Sequence, residues 1–330
     1  MSRFRSSARV TAVVVALVML AAFVGLSSAA GGGAPRWSAP VGITPDDISH
    51  PNDYYIVSFT GSGAVGPACG DPNGTIPYKH GDVVLYEGPN ECWGPWFSAT
   101  RSGLSAAADV NAMHDRCRPP FDVCDTYFSF KAQTAIPGVG AVQPQDVVVG
   151  SWDPDSVDAY ENFQMVFDGS DVGLTTKAER IDGLSVFDPG DEPDGYDECA
   201  ALLLISTAGA YRVSDAWGNP LSGGGEDVLG FCMTNSGSST AGYWFLYHDG
   251  SAEGLPANAL VGLDHQVGRR AFGRFELLTG KPIAVDAAHG GPSEVFNFTS
   301  QTGEYDGPTF SFPELTNADD PVDSFTLHEG

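Results

Sequence analysis

Short apolar runs punctuated by glycine and proline dominate this chain. Tyr55-Ile56-Val57-Ser58-Phe59, Asp146-Val147-Val148-Val149 and Leu202-Leu203-Leu204-Ile205 are rich in β-branched, aromatic and leucine side chains. Gly (41) and Pro (23) residues are spread between such runs, which keeps each one short. Runs of strand length bounded by turn residues predict β-strands, and the helical spacing of apolar residues is scarce. An all-β sandwich or propeller follows.

The runs recur in a fixed order. A first strand opens on an acid: Asp82-Val83-Val84-Leu85, Asp146-Val147-Val148, Asp227-Val228-Leu229 and Glu294-Val295-Phe296. A second is aromatic: Trp96-Phe97, Phe163 to Phe167, Tyr243 to Tyr247 and Phe310-Ser311-Phe312. A third holds Val110 to Met113, Ile181 to Val186, Leu260 to Leu263 and Val322 to Leu327. A fourth holds Tyr127 to Ala132, Leu202 to Thr207 and Arg274 to Leu278. The turn after the second strand reads Asp168-Gly169-Ser170-Asp171-Val172-Gly173-Leu174, and returns weakened as Asp249-Gly250-Ser251-Ala252-Glu253-Gly254-Leu255. Fixed order with variable spacing predicts blades joined by loops rather than a tight solenoid.

The last copy lacks its fourth strand, and an unassigned run, Tyr55 to Thr60, precedes the first copy and matches a fourth strand. Chain ends that complete one blade between them close a propeller and remove its exposed edges. Residues 37–330 are therefore read as a single four-bladed β-propeller closed by its N- and C-terminal strands. A β-sandwich with similar hairpins is the competing architecture.

Residues 1–30 read differently. Arg3, Arg5 and Arg9 precede an uncharged apolar run from Val10 to Leu26, and Ser28-Ala29-Ala30 follows. That is the pattern of a secretion signal, with 31–36 as a flexible glycine-rich exit. An uncleaved membrane anchor is the alternative. The net charge of −26 excludes the basic stripe that nucleic acids and anionic lipid require. An extracellular ligand or surface partner is expected instead. Cys69, Cys92, Cys117, Cys124, Cys199 and Cys232 form an even set with no CxxC spacing, which predicts disulfides in an exported protein. Pairing between sequence neighbours, 69–92, 117–124 and 199–232, is the simplest connectivity.

The repeats resemble those of secreted and cell-surface bacterial or archaeal proteins carrying DGSDVGL-type repeats. Asp168 to Leu174, Ile181-Asp182-Gly183-Leu184 and Leu202 to Thr207 carry the resemblance. It implies an exported β-repeat protein joined to surface or enzyme modules. It implies no reaction, so no catalytic residue is transferred.

The candidate chemistry is acidic. If the acid-opened strand lines the axis, Asp82, Asp146, Asp227 and Glu294 converge at one mouth, where Ca²⁺ would relieve their repulsion. Asp168 and Asp171 could wrap Ca²⁺ in the Asp-Gly-Ser loop. The competing reading is that these acids accept backbone hydrogen bonds at turns, without metal. The acid-rich loop from Asp188 to Glu198 departs from EF-hand spacing. Lipase, zinc-peptidase and phosphate-loop motifs are absent. Trp93, Trp152 and Trp217 fall in predicted turns and are candidates for stacking on sugars. The leading expectation is a binding or surface-interaction module steadied by Ca²⁺ and disulfides. A hydrolase with carboxylates at the channel mouth and a structural envelope component are the alternatives.

Overall fold

A computed structural model describes residues 54–328, apart from 88–89, 119–122, 154, 157, 188–198, 266–273, 286–287, 293, 300–303 and 312–321. Its main sheets are four, each of four antiparallel strands, arranged as the blades of a β-propeller. From the axis outward, blade I runs Val110–Arg118, Val123–Phe130, Val147–Trp152, Tyr160–Phe167. Blade II runs Ile181–Phe187, Ala201–Thr207, Val228–Asn235, Ala241–His248. Blade III runs Leu260–His265, Arg274–Thr279, Glu294–Thr299, Glu304–Ser311. Blade IV takes its inner strand, Val322–His328, from the C-terminal end and the other three, Tyr54–Phe59, Val83–Glu87 and Cys92–Phe97, from the N-terminal end. The expected closure is therefore present. Tyr55 lies opposite Leu327 and Val57 opposite Phe325 in an antiparallel ladder.

The phase of the repeat differs from expectation. The strands that meet around the axis are Val110–Arg118, Ile181–Phe187, Leu260–His265 and Val322–His328. The acid-opened strands are the third of each blade. The repeat as read from sequence starts in mid-blade and ends in the next one.

Crowding at the axis explains which strands go inside. Ala112, Gly183, Gly262 and Ser324 occupy one level of the four inner strands, as their register with Ser129, Ser206, Leu278 and Ser58 shows. A Cβ on Gly183 would come within 2.7 Å of Ser206 Oγ, and one on Gly262 within 2.7 Å of Phe325 Cδ1. Only small residues let four strands approach so closely. The second and third strands have sheet on both faces and so carry apolar residues continuously. Leu203 and Ile205 fill the core between blades I and II, whereas Leu202 and Leu204 point the other way into the core between II and III. Two further cores complete the ring: Ile56, Leu85, Met113 and Phe128 between IV and I, and Val57, Tyr86, Val295 and Phe325 between III and IV.

Sequence reading missed a two-stranded ribbon in each blade between the second and third strands. These are Gly63–Val65 with Ile76–Tyr78, Thr134–Ile136 with Gly140–Val142, Tyr211–Ser214 with Pro220–Gly223, and Ile283–Val285 with Ala288–Gly290. Two blades use the ribbon segment to cover their outer edge. Ala68 bridges to Trp93, and Asp215 to Trp244. The Cys69–Cys92 disulfide fixes the first of these covers, and Cys199–Cys232 ties blade II. Cys124 is disulfide-bonded, and the register sets Cys117 opposite it. The expected leader and the loop from Asp188 to Glu198 lie outside the described residues. No described helix is long and apolar enough to cross a membrane.

Candidate functional site

The six acids expected to bind metal are engaged in holding turns. Asp146 is 3% exposed; its Oδ2 accepts from Gln143 N at 2.7 Å and its Oδ1 from Gly169 N at 3.1 Å. Asp82 does the same with Lys79 N and Ala99 N, each at 3.1 Å. Asp227 repeats it with Gly224 N and Gly250 N, again at 3.1 Å each. Glu294 accepts from Gly291 N at 2.6 Å. In blades I, II and IV the acid thus pins the turn leading into its own strand to the turn leaving the outer strand. The two acidic features of the sequence, the strand opener and the Asp-Gly-Ser loop, are halves of one joint.

The loop itself joins neighbouring blades. Asp168 caps a short 3₁₀ turn, Gly169–Val172, by accepting from Ser170 N, and Gly173 closes it at φ 103°. Asp171 Oδ2 accepts from Thr240 N at 3.0 Å, and Asp168 N donates to Thr240 Oγ1 at 2.7 Å, so the loop of blade I grips a turn of blade II. Between blades IV and I the charge is exchanged. Arg101 stands where Asp171 would, and pairs with Asp158 of blade I at 3.0 Å. Among the described residues none of the six acids belongs to a group of three metal-ligating atoms within 4.8 Å; the one such group is Cys69, Glu87 and Cys92, whose two sulfurs form a disulfide.

Other polar residues occupy the axis. Each inner strand carries a bulge at its second position, so Asn111, Asp182, Val261 and Asp323 drop out of the ladder at one level. Asn111 Nδ2 donates to Asp182 Oδ1 at 2.7 Å, across the I–II boundary. Asp323 Oδ1 accepts from Ser58 Oγ at 2.6 Å. Burial pushes the Asp323 carboxyl up to about 8, against the Ser58 bond and with help from Asp109. Burial also raises Asp182 and Asp109, with Asn111 and Lys131, respectively, drawing them back. Deeper along the axis His114 Nδ1 lies 3.2 Å from Asp264 Oδ1, which also accepts from Thr326 Oγ1 at 3.2 Å, linking blades I, III and IV. Neighbouring Asp115 faces away and accepts from Thr126 Oγ1, as strand alternation requires. The sequence did signal this axis: Val110-Asn111-Ala112, Ile181-Asp182-Gly183 and Val322-Asp323-Ser324 share an apolar–polar–small order, broken by Val261.

A cleft of about 390 Å³ opens between blades IV and I. Tyr78, Phe97 and Pro95 contribute its apolar lining, and Lys79, Arg101, Ser98, Asp82 and Asp158 supply polar groups. The Arg101 side chain is 63% exposed. Of the predicted stacking tryptophans, Trp93 is buried, Trp152 packs partly against the IV–I core, and Trp217 is 85% exposed.

No family model matches the chain, and no curated protein matches it. Among solved structures, an exo-β-1,3-galactanase from Phanerochaete chrysosporium, crystallised with β-1,3-galactotriose, aligns with 82% of this chain and 51% of its own at 13% identity. The TM-score is 0.27, so the likeness carries no argument about the site. This chain spans about half the length of that structure.

Proposed function

We propose that the protein is a non-catalytic binding module of the extracellular space, and that its ligand occupies the cleft between blades IV and I. One observation carries this reading. In a chain with 16 basic and 42 acidic residues, two of the cations, Lys79 and Arg101, line a single cleft together with an apolar surface. Its volume lies in the range of small-molecule sites, and side-chain donors beside an apolar lining suit an oxygen-rich ligand the size of a mono- or disaccharide. The paired cysteines fit an oxidising compartment.

A glycan array spanning neutral and acidic sugars tests the reading. Selective binding that is lost in both Lys79→Ala and Arg101→Ala supports it. Absence of binding, or binding indifferent to both changes, overturns it.

A second reading has its own observation. Asp323 and Asp182, two carboxyls at one end of the axis that burial pushes up, supply the proton-holding acid such a reaction needs. Access weighs against it, because Asp323 is 7% exposed and its Oδ2 is enclosed. Turnover of a glycoside or ester abolished by Asp323→Asn and untouched by Arg101→Ala would favour the hydrolase.

A further inference from the structure

The bulge ring contains a buried carboxylate oxygen that nothing in the protein satisfies. Asp323 Oδ1 is held by Ser58, but Oδ2 has no hydrogen-bond partner. Asp109, just ahead of the blade I bulge, has a second such oxygen, Oδ1. Asp182 completes an acidic set at the same end of the axis; it and Asp109 both act electrostatically on Asp323. Two cations pair with the outer members of the set, Lys131 Nζ at 3.7 Å from Asp109 Oδ2 and Arg180 Nε at 3.6 Å from Asp182 Oδ1, and neither gives Asp323 Oδ2 a hydrogen bond. Buried polar atoms are nearly always partnered, and a buried carboxyl oxygen facing nothing is the exception; a cation that ligates it releases to solvent the proton that burial holds on Asp323.

We infer that this end of the axis holds one hard divalent cation, with Asp323 Oδ2 as its innermost ligand and Asp109 and Asp182 around it. An all-oxygen set selects hard ions over zinc or copper. No three of these oxygens stand within 4.8 Å of one another, so the ion keeps part of its water shell. Mg²⁺ behaves in this way, bound through one or two carboxylates, while Ca²⁺ accepts a looser and larger shell. The site differs from the rim acids, whose oxygens are engaged with backbone amides, and it does not depend on the cleft.

Calorimetric titration of chelator-dialysed protein with MgCl₂, CaCl₂ and NaCl tests the inference. The expected result is one divalent ion per chain and a higher Tm. Asp323→Asn should abolish the heat, and Asp168→Asn, on the rim loop, should bind as the parent does. Should Asp323→Asn fail to fold, Asp109→Asn, whose carboxylate is partly exposed, should weaken binding by roughly tenfold. No saturable heat with any ion would leave water as the occupant and end the proposal. Unchanged affinity in the Asp323 variant, or in the Asp109 variant if that one replaces it, would do the same.

Discussion

Asp146→Ala separates a turn-holding acid from a metal ligand. The substitution leaves Gly169 N, which is buried, and Gln143 N, which is partly exposed, without their acceptor. A buried amide stripped of its partner costs about 1–3 kcal/mol, and one that water can reach costs less. Against this, the variant escapes the desolvation that raises the Asp146 carboxyl to about 6. A shift of some two units is worth about 3 kcal/mol at most. With the second amide adding about 1 kcal/mol and solvent screening discounting that relief to about 1 kcal/mol, the net expectation at pH 8 is a loss of about 1–3 kcal/mol for alanine. Asparagine keeps one acceptor and should lose about 1 kcal/mol or less. The sign with pH follows from the raised folded value. That contribution to stability is present below the unfolded value of 3.8 and is lost as pH rises through about 6. Asparagine does not titrate, so its deficit relative to the parent should be larger at pH 4.5 than at pH 8. Urea unfolding of the parent and both variants with chelator present reads all of this. An alanine variant as stable as the parent in chelator, yet less stable once Ca²⁺ is added, would refute the joint and restore the metal.

Three further outcomes are expected. Burial lowers His248 to about 4, with Tyr305 Oη at 2.6 Å, so its stabilising contribution is present above 6.5 and lost as pH falls towards 4. The ceiling is about 3 kcal/mol, and His248→Phe should flatten that limb in denaturation between pH 7 and 4. Replacing Cys199 and Cys232 by serine opens a bridge spanning 33 residues and should cost about 2–4 kcal/mol, read as a lower Tm; an unchanged Tm removes the bridge from the account. Deleting the chain from Val322 onward uncovers Val57, Phe59 and Tyr86 in the III–IV core and should replace cooperative melting with dye-binding, partly folded protein; a deletion that still melts sharply would contradict closure by the terminal strand.

Strand order and closure were legible because burial writes itself into sequence. The runs Ile56-Val57 and Leu202 to Ile205 are apolar on both faces, as strands flanked by cores must be, and the unmatched end strands named each other as partners. The ribbons were not legible. Segments such as Gly63–Val65 and Ala288–Gly290 are three residues long and carry too little pattern to rise above the turns around them. Nor were the grips between blades: Asp171 on Thr240 and Arg101 on Asp158 are contacts over 69 and 57 residues that no local periodicity encodes.

The blade phase was misjudged for a physical reason that also relocates the site. The acid-opened strand, counted first in the repeat, was placed innermost, but the axis of a four-bladed ring rewards smallness. Val147-Val148 and Val228-Leu229 belong one position in from the rim, where two cores meet them, whereas Ala112, Gly183, Gly262 and Ser324 let the inner strands crowd together. Once the inner strands are identified by small residues, their bulges follow, and so do the residues the bulges eject. Asp82, Asp146, Asp227 and Glu294 then become parts of the frame, repeated because every blade needs its turns held. The axial set of Asn111, Asp182 and Asp323 lacks one member, at Val261, and is left with an unpaired oxygen. Folding alone explains a device that every blade repeats. It gives no reason to bury an acid that two blades omit and whose second oxygen nothing in the protein satisfies, and that asymmetry is why the axis rather than the rim is the place to look for an ion.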